Sequence, residues 1–166
     1  MKMVKRSKRK LQSYRHLSEG NSLNDWYKVK NPLRVMWNFF IISLCKIIPS
    51  LALKRTLYRS IGIKVGKNVS VGLGVMFDIF FPELIEIGDN SVIGYNATML
   101  AHEFLVDEWR TGKVKIGKNV MIGANSTVIA GVTIGDNSTV SACSFVNKNI
   151  EPFSFAQGVP IRVVKR

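Results

Sequence analysis

The sequence predicts an all-β core, a parallel β-helix of about four turns, with an N-terminal helical extension. Three observations predict it. Aliphatic-Gly pairs recur six residues apart through the C-terminal two-thirds of the chain, Gly, Asn and Asp cluster where each short strand has to turn, and an apolar, basic stretch with helical spacing precedes the first repeat. A period of six excludes an amphipathic helix for the repeat region, because six-residue spacing precesses around a 3.6-residue helix instead of holding one face.

The apolar positions run 65, 71, 77, then 87, 93, 99, then 116, 122, 128, 134, 140, 146, with Gly directly after many of them, as in Val65-Gly66, Ile93-Gly94 and Ile134-Gly135. In threes they make four triangular turns. Each hexad supplies one inward aliphatic residue and a corner such as Gly66-Lys67-Asn68 or Gly135-Asp136-Asn137, where the backbone bends. Stacked turns bury a continuous column of Val and Ile. An antiparallel β-sandwich with Gly-rich turns is the alternative, and the unbroken phase from 116 to 151 favours the β-helix. The phase breaks twice, between Phe77 and Ile87 and between Met99 and Ile116. Insertions that leave a rigid repeat are the places to look for function.

The chain of 166 residues has 24 Lys or Arg against 11 Asp or Glu, a net charge of +13. Residues 1–60 hold 14 basic and 2 acidic residues, and residues 61–166 hold 10 and 9. The repeat region is therefore nearly neutral and has no basic stripe or paired stacking aromatics, so nucleic acid is not an expected partner. Composition divides the chain into a basic polar leader (1–31), an apolar basic helical extension (32–60) and the repeat domain (61–166). No cleavable signal peptide is expected, since no short apolar run follows the basic start before residue 35. Cys45 and Cys143 have no Cys or His at ligand spacing, so no metal site is expected.

From Leu33, a helical reading places Leu33, Met36, Trp37, Phe40, Ile41, Leu44, Ile47, Ile48 and Leu51 on one face, with Arg34, Asn38, Ser43 and Lys46 opposite, where Val35, Phe39 and Ile42 make that side mixed. Pro49 ends or kinks this helix, and Ser50 caps a second. Asn38, Lys46 and Pro49 interrupt the run of about 20 apolar residues that a spanning helix needs. Two readings stay open: a cap over the open end of the solenoid, or an interfacial helix with its apolar face in lipid and its cations at anionic headgroups.

The segment from Ile116 (IGKNVMIGANSTVIAGVTIGDNSTVSACSFVNKNIEP), the ending AQGVPIRVV and the His before the larger insertion together resemble the hexapeptide-repeat acyltransferases, closest to the galactoside, maltose and xenobiotic acetyltransferase branch. The resemblance covers residues 61 to 164. It implies a left-handed β-helix, a homotrimer, and acetyl-CoA as acyl donor in the groove between neighbouring subunits. The chain departs from the pattern at Met121, where that branch often has Trp, at Ser141 and Cys143 beside Ala142, and at Ile161.

Acyl transfer from a thioester needs a base for the acceptor proton, donors for the oxyanion and a channel that aligns the two substrates. Of the two histidines, His16 lies in the charged leader and His102 at the mouth of the larger insertion, where the resemblance places the catalytic base. The alternative for His102 is a residue that merely edges the loop. Glu103, Asp107 and Glu108 are candidates to orient its ring. The resemblance assigns oxyanion and pantetheine contacts to the backbone around Gly123, Ala124 and Ala142, and nucleotide phosphates to Lys148, Arg162 and Lys165. Trp109 and Arg110 either close over the site or pack on their own solenoid. Asp78 either binds an acceptor hydroxyl or satisfies backbone amides at its corner.

The expected activity is an acetyl-CoA-dependent O-acetyltransferase acting on a sugar hydroxyl, on a lipid-linked or envelope glycan precursor, at the inner face of the cell membrane. A long-chain acyltransferase fed by acyl carrier protein and a non-catalytic scaffold are the competing readings. A γ-type carbonic anhydrase is disfavoured, since its zinc site takes three histidines and the repeat has one.

Overall fold

The computed structural model describes residues 9–16 and 20–164. From Lys64 the chain winds as a left-handed parallel β-helix with three short strands per coil. The first face carries Lys64–Val65, Ile85–Ile87, Val114–Ile116 and Thr133–Ile134. The second carries Ser70–Val71, Val92–Ile93, Met121–Ile122 and Thr139–Val140, and the third Met76–Phe77, Thr98–Met99, Thr127–Val128 and Phe145–Val146. The register pairs like with like. Val65, Ile87, Ile116 and Ile134 form one column, Val71, Ile93, Ile122 and Val140 a second, and Phe77, Met99, Val128 and Val146 a third. All twelve are buried. The period of six thus becomes a core because each hexad turns the chain by one face and returns the same residue type to the same interior line.

The corners show why Asn and Gly recur. Asn68, Asn90, Asn96, Asn119, Asn125 and Asn137 take left-handed backbone angles, with φ between 53° and 57°, a conformation that Asn tolerates better than most residues. Their amides stack into ladders: Asn90 donates to Asn119 (2.8 Å), Asn119 to Asn137 (3.1 Å), and Asn96 to Asn125 (2.9 Å). Gly123 answers a different need. A Cβ there would collide with the Ala142 backbone nitrogen of the next coil.

The two ends are closed differently. At the C-terminal end Phe155–Gln157 adds a fifth strand to the second face, and Arg162–Val164 turns back antiparallel on it. At the N-terminal end the N–H groups of Gly66, Ser70, Gly72 and Met76 point up the stack, as in Gly66 N–H to the Ile87 carbonyl (2.9 Å), so the carbonyls of the first-coil strands lack a coil beneath them. Two helices cover that edge. Helix α2 (Pro32–Ile47) follows the four-residue α1 (Trp26–Val29); Asn31 caps it, its side chain accepting from Leu33 N–H, and Pro32 opens it. Helix α3 (Leu51–Ser60) begins after Pro49 with Ser50 as its cap. The cations of α3 meet the open carbonyls. Lys54 Nζ donates to Val71 (2.9 Å) and Gly72 (2.8 Å), Arg55 to Val69 (3.2 Å), and Arg59 to Val65 and Gly66. A buried carbonyl left unpaired costs about 1–3 kcal/mol, so these charge-assisted bonds are what allows the sheet edge to be covered.

The face of α2 that meets the solenoid differs from the one its apolar periodicity suggests. Val35, Asn38, Ile41, Ile42 and Cys45 are buried, whereas Leu33, Met36, Trp37, Phe40 and Ile47 are exposed. The reason is polar. Asn38 donates its amide N–H to the Ile79 carbonyl at 2.8 Å, and the Lys46 carbonyl accepts from Gly74 N–H, so the helix is turned by what the first coil needs satisfied.

Candidate active site

The larger insertion is a β-hairpin. His102–Phe104 pairs antiparallel with Glu108–Thr111, and Gln12–Arg15 from the leader adds a third strand on the far side of Glu108–Thr111. The leader is held against the solenoid and the hairpin in other places too. Lys10 N–H bonds the Gly131 carbonyl, His16 N–H the Asp107 carbonyl (2.8 Å), and the Ser22 hydroxyl the Leu105 carbonyl (2.6 Å). His16 is thus packed beneath the hairpin, with Nε2 3.7 Å from Asp25.

His102 stands where the third face of the second coil gives way to the hairpin. Its Nδ1 lies 2.5 Å from Asp78 Oδ2. Asp78 is the residue after Phe77 in the coil below, and its side chain is fully buried. Oδ2 also accepts Ala101 N–H (2.7 Å), while Oδ1 accepts the N–H groups of Phe80 and Phe81 (2.9 Å each). Burial works to raise the Asp78 pKa, but the hydrogen bond and charge of His102, with the Phe81 and Ala101 N–H groups, outweigh it and hold the carboxyl below its ordinary value. An ionised carboxylate only accepts, so Nδ1 carries a proton toward Asp78, and in the neutral form of the ring the lone pair is on Nε2. That is the tautomer a general base requires.

Around the ring stands an aromatic collar. Phe80 and Phe104 meet His102 edge-on, with centroids at 4.8 and 4.9 Å, and Phe81 lies at 6.0 Å. Trp109 stacks on Phe81 and, from the other side, on Tyr14 at 4.1 Å.

Several expected roles change. Of the two readings of Asp78, an acceptor-hydroxyl ligand or a corner residue satisfying backbone amides, the structure favours the second: its oxygens accept the Phe80, Phe81 and Ala101 N–H groups and face His102 Nδ1. None of Glu103, Asp107 and Glu108 bonds the His102 ring among the described residues: Nδ1 faces Asp78, Glu103 pairs with Arg9 and Arg110, and Glu108 pairs with Arg110. Trp109 and Arg110 are engaged with their own chain by these stacking and ionic contacts. Gly123 N–H is spent on the Val140 carbonyl (2.8 Å), whereas the Ala124 and Ala142 N–H groups make no hydrogen bond among the described residues. Ala142 and Arg162 line one shallow cleft with Ser141, Cys143, Gly158 and Pro160. Lys148 lies beyond Val146 on the third face, outside that cleft, and Lys165 falls outside the described residues.

Sequence reasoning missed the collar residues Phe80 and Phe104, the contacts of Arg9 with Glu103 and of Tyr14 with Trp109, and the contact of Asp78 with His102. A signal for the last was present in the phase: Asp78 follows the third position of its turn, directly below the residues that lead into His102.

A family model described as the hexapeptide repeat of succinyl-transferase matches residues 113–148. YvoF of Bacillus subtilis strain 168, assigned by name as an acetyltransferase, is 47% identical over 149 residues, covering 89% of this chain and 87% of that protein. Among solved structures, a galactoside acetyltransferase in complex with coenzyme A superposes with a TM-score of 0.60 at 26% identity, covering 81% of each chain. A hexapeptide-repeat acetyltransferase of Vibrio cholerae complexed with acetyl coenzyme A gives a TM-score of 0.63 at 20% identity, covering 80% of this chain and 86% of that one.

Proposed function

The chain belongs to the hexapeptide-repeat acetyltransferases, and from that premise we propose that it transfers the acetyl group of acetyl-CoA to a hydroxyl of a sugar, with His102 as general base and Asp78 as its orienting partner. The observation that carries the reading is the contact between His102 Nδ1 and Asp78 Oδ2 at 2.5 Å on a fully buried carboxylate. His102 Nε2 takes the proton of the acceptor hydroxyl as its oxygen attacks the thioester carbonyl. The tetrahedral oxyanion is held by backbone N–H groups, for which Ala124 and Ala142 are the candidates, and the imidazolium returns the proton to the CoA thiolate as the C–S bond breaks. The Asp78 carboxylate, in contact with Nδ1, stabilises the imidazolium at that step. Arg162 at the lip of the Ala142 cleft supplies a cation for a nucleotide phosphate.

A homotrimer belongs to the same proposal, and the topology supports it. His102 stands at the edge between the third and first faces, whereas Ala124 and Ala142 stand at the edge between the second and third. The base and the oxyanion donors of one chain are therefore on different edges of the prism, and a neighbouring copy brings them together. The acceptor is a lipid-linked or envelope glycan precursor, met at the inner membrane face; no helix among the described residues is long and apolar enough to cross a membrane.

The test is release of free CoA thiol from acetyl-CoA against a panel of soluble and lipid-linked sugars. One class of acceptor should stimulate release, and His102→Ala should lower kcat by about 10²–10⁴ without changing the oligomer. Full activity in that variant removes His102 from the mechanism.

A further inference from the structure

Helix α2 presents to solvent the side that its sequence makes most apolar. Leu33 and Ile47 are 76% exposed, Met36 65%, Phe40 56% and Trp37 50%, five residues in helical register along one face. Phe39 of the same helix is also exposed, as are Leu51 and Leu53 of α3. An apolar surface of this kind in a chain that has otherwise buried its aliphatic residues marks a contact site.

Charge says what the contact is. Residues 26–60 contain seven Lys or Arg and no Asp or Glu. Lys54, Arg55 and Arg59 are directed at first-coil carbonyls, and Arg34 at the Ile61 carbonyl; Lys28, 55% exposed, pairs with Asp25 at 3.1 Å, Lys30 pairs with Glu83, and Lys46 lies in the last turn of α2. Residues 1–60 as a whole hold 14 basic and 2 acidic residues, so a second copy of this end would set net positive charge against net positive charge. A bilayer with anionic headgroups accepts both parts, the Trp and Phe side chains at the acyl boundary and the Lys residues at the phosphates.

The face also lies on the edge that holds the base. Asn38 on the inner side of α2 bonds the Ile79 carbonyl, one residue beyond Asp78, and Trp26 at the start of α1 meets Phe80 edge-on at 5.6 Å, next to His102.

We propose that the outward face of α2 rests on an anionic phospholipid surface and so presents the His102 edge to hydroxyls of lipid-linked acceptors. This rests on the acetyltransferase reading for its purpose, but the surface itself is read without it.

The experiment is flotation of the full chain with phosphatidylcholine vesicles, with or without phosphatidylglycerol. The wild type should float with the anionic vesicles, less at raised salt and less with phosphatidylcholine alone. Met36→Glu and Phe40→Glu, both on the outward face of α2 and in contact with none of the site residues, should each cut the bound fraction by about tenfold, while thiol release with a water-soluble sugar is kept. A wild type that does not float, or glutamate variants that float as well as it does, overturns the proposal. So does a change in sedimentation coefficient of the variants with vesicle binding intact, which makes the occupant another copy of the chain. Flotation needs no acyl transfer, so failure of the enzymatic reading and failure of this one give separate results.

Discussion

The solenoid and the helices that precede it are both apolar and both periodic, yet periodicity meant different things in them. In the solenoid every sixth residue is interior because the coil closes on itself: Ile122 is inside since Ile93 and Val140 are stacked below and above it. In α2 the periodicity marked an apolar face, but that face is turned away from the core. A helix can meet a neighbour with any side, and here the side was chosen by a polar demand, the Ile79 carbonyl that Asn38 satisfies. A repeat thus carries its own partner, whereas an amphipathic helix shows only that a partner exists.

That contrast can be broken or sharpened by substitution. The largest effect is expected in the column. Ile122→Ala removes fully buried atoms between rigid coils and should cost about 2–5 kcal/mol, read from the midpoint of chemical denaturation. Asp78→Asn comes next, since it keeps the shape but removes the charge that faces the imidazolium. A fall of about 10²-fold in kcat is expected, with little change in the KM for acetyl-CoA.

The same substitution has a pH signature. The Asp78 carboxyl is held below its ordinary value of about 3.9. Its stabilising contribution is complete above the unfolded value and is lost as pH falls through the lower folded one. The stability gap between wild type and Asp78→Asn should therefore be full at neutral pH and shrink in acid below about pH 4. A gap that stays constant across that range would mean that the carboxylate charge contributes nothing.

Smaller again is Lys54→Met. The methionine fills much of the same space but leaves the Val71 and Gly72 carbonyls unpaired, for a loss of about 1–3 kcal/mol in the same denaturation measurement. Smallest is Phe40→Ala, on the outward face of α2, expected within about 0.5 kcal/mol of wild type because the ring is not packed in the core. A loss there comparable to that of Ile122→Ala would show that the face is covered in the folded chain after all.

Much of the fold was legible along the chain. The phase of the hexads places each interior residue, the two breaks place the insertions, and Pro49-Ser50 divides the helices. His102 stood out because it borders the longer break. Its partner was harder to read: Asp78 is 24 residues away and looks like any corner Asp, and Glu103 and Glu108 were nearer in sequence but are drawn off by Arg9 and Arg110. The leader, polar and basic, gave no sign that Gln12–Arg15 would become a strand beside the hairpin, because that pairing draws on hairpin backbone groups that the leader sequence does not encode.

The sequence by itself determined the coil, since a six-residue period needs only its own neighbours to bury a column of Val and Ile. The tertiary structure alone decided which carboxylate faces the base, which carbonyls the helix cations close, and which side of α2 is left to solvent. Those outcomes depend on unpaired polar groups brought together from distant positions, and burial makes satisfying them worth more than either charge or apolar pattern suggests along the chain.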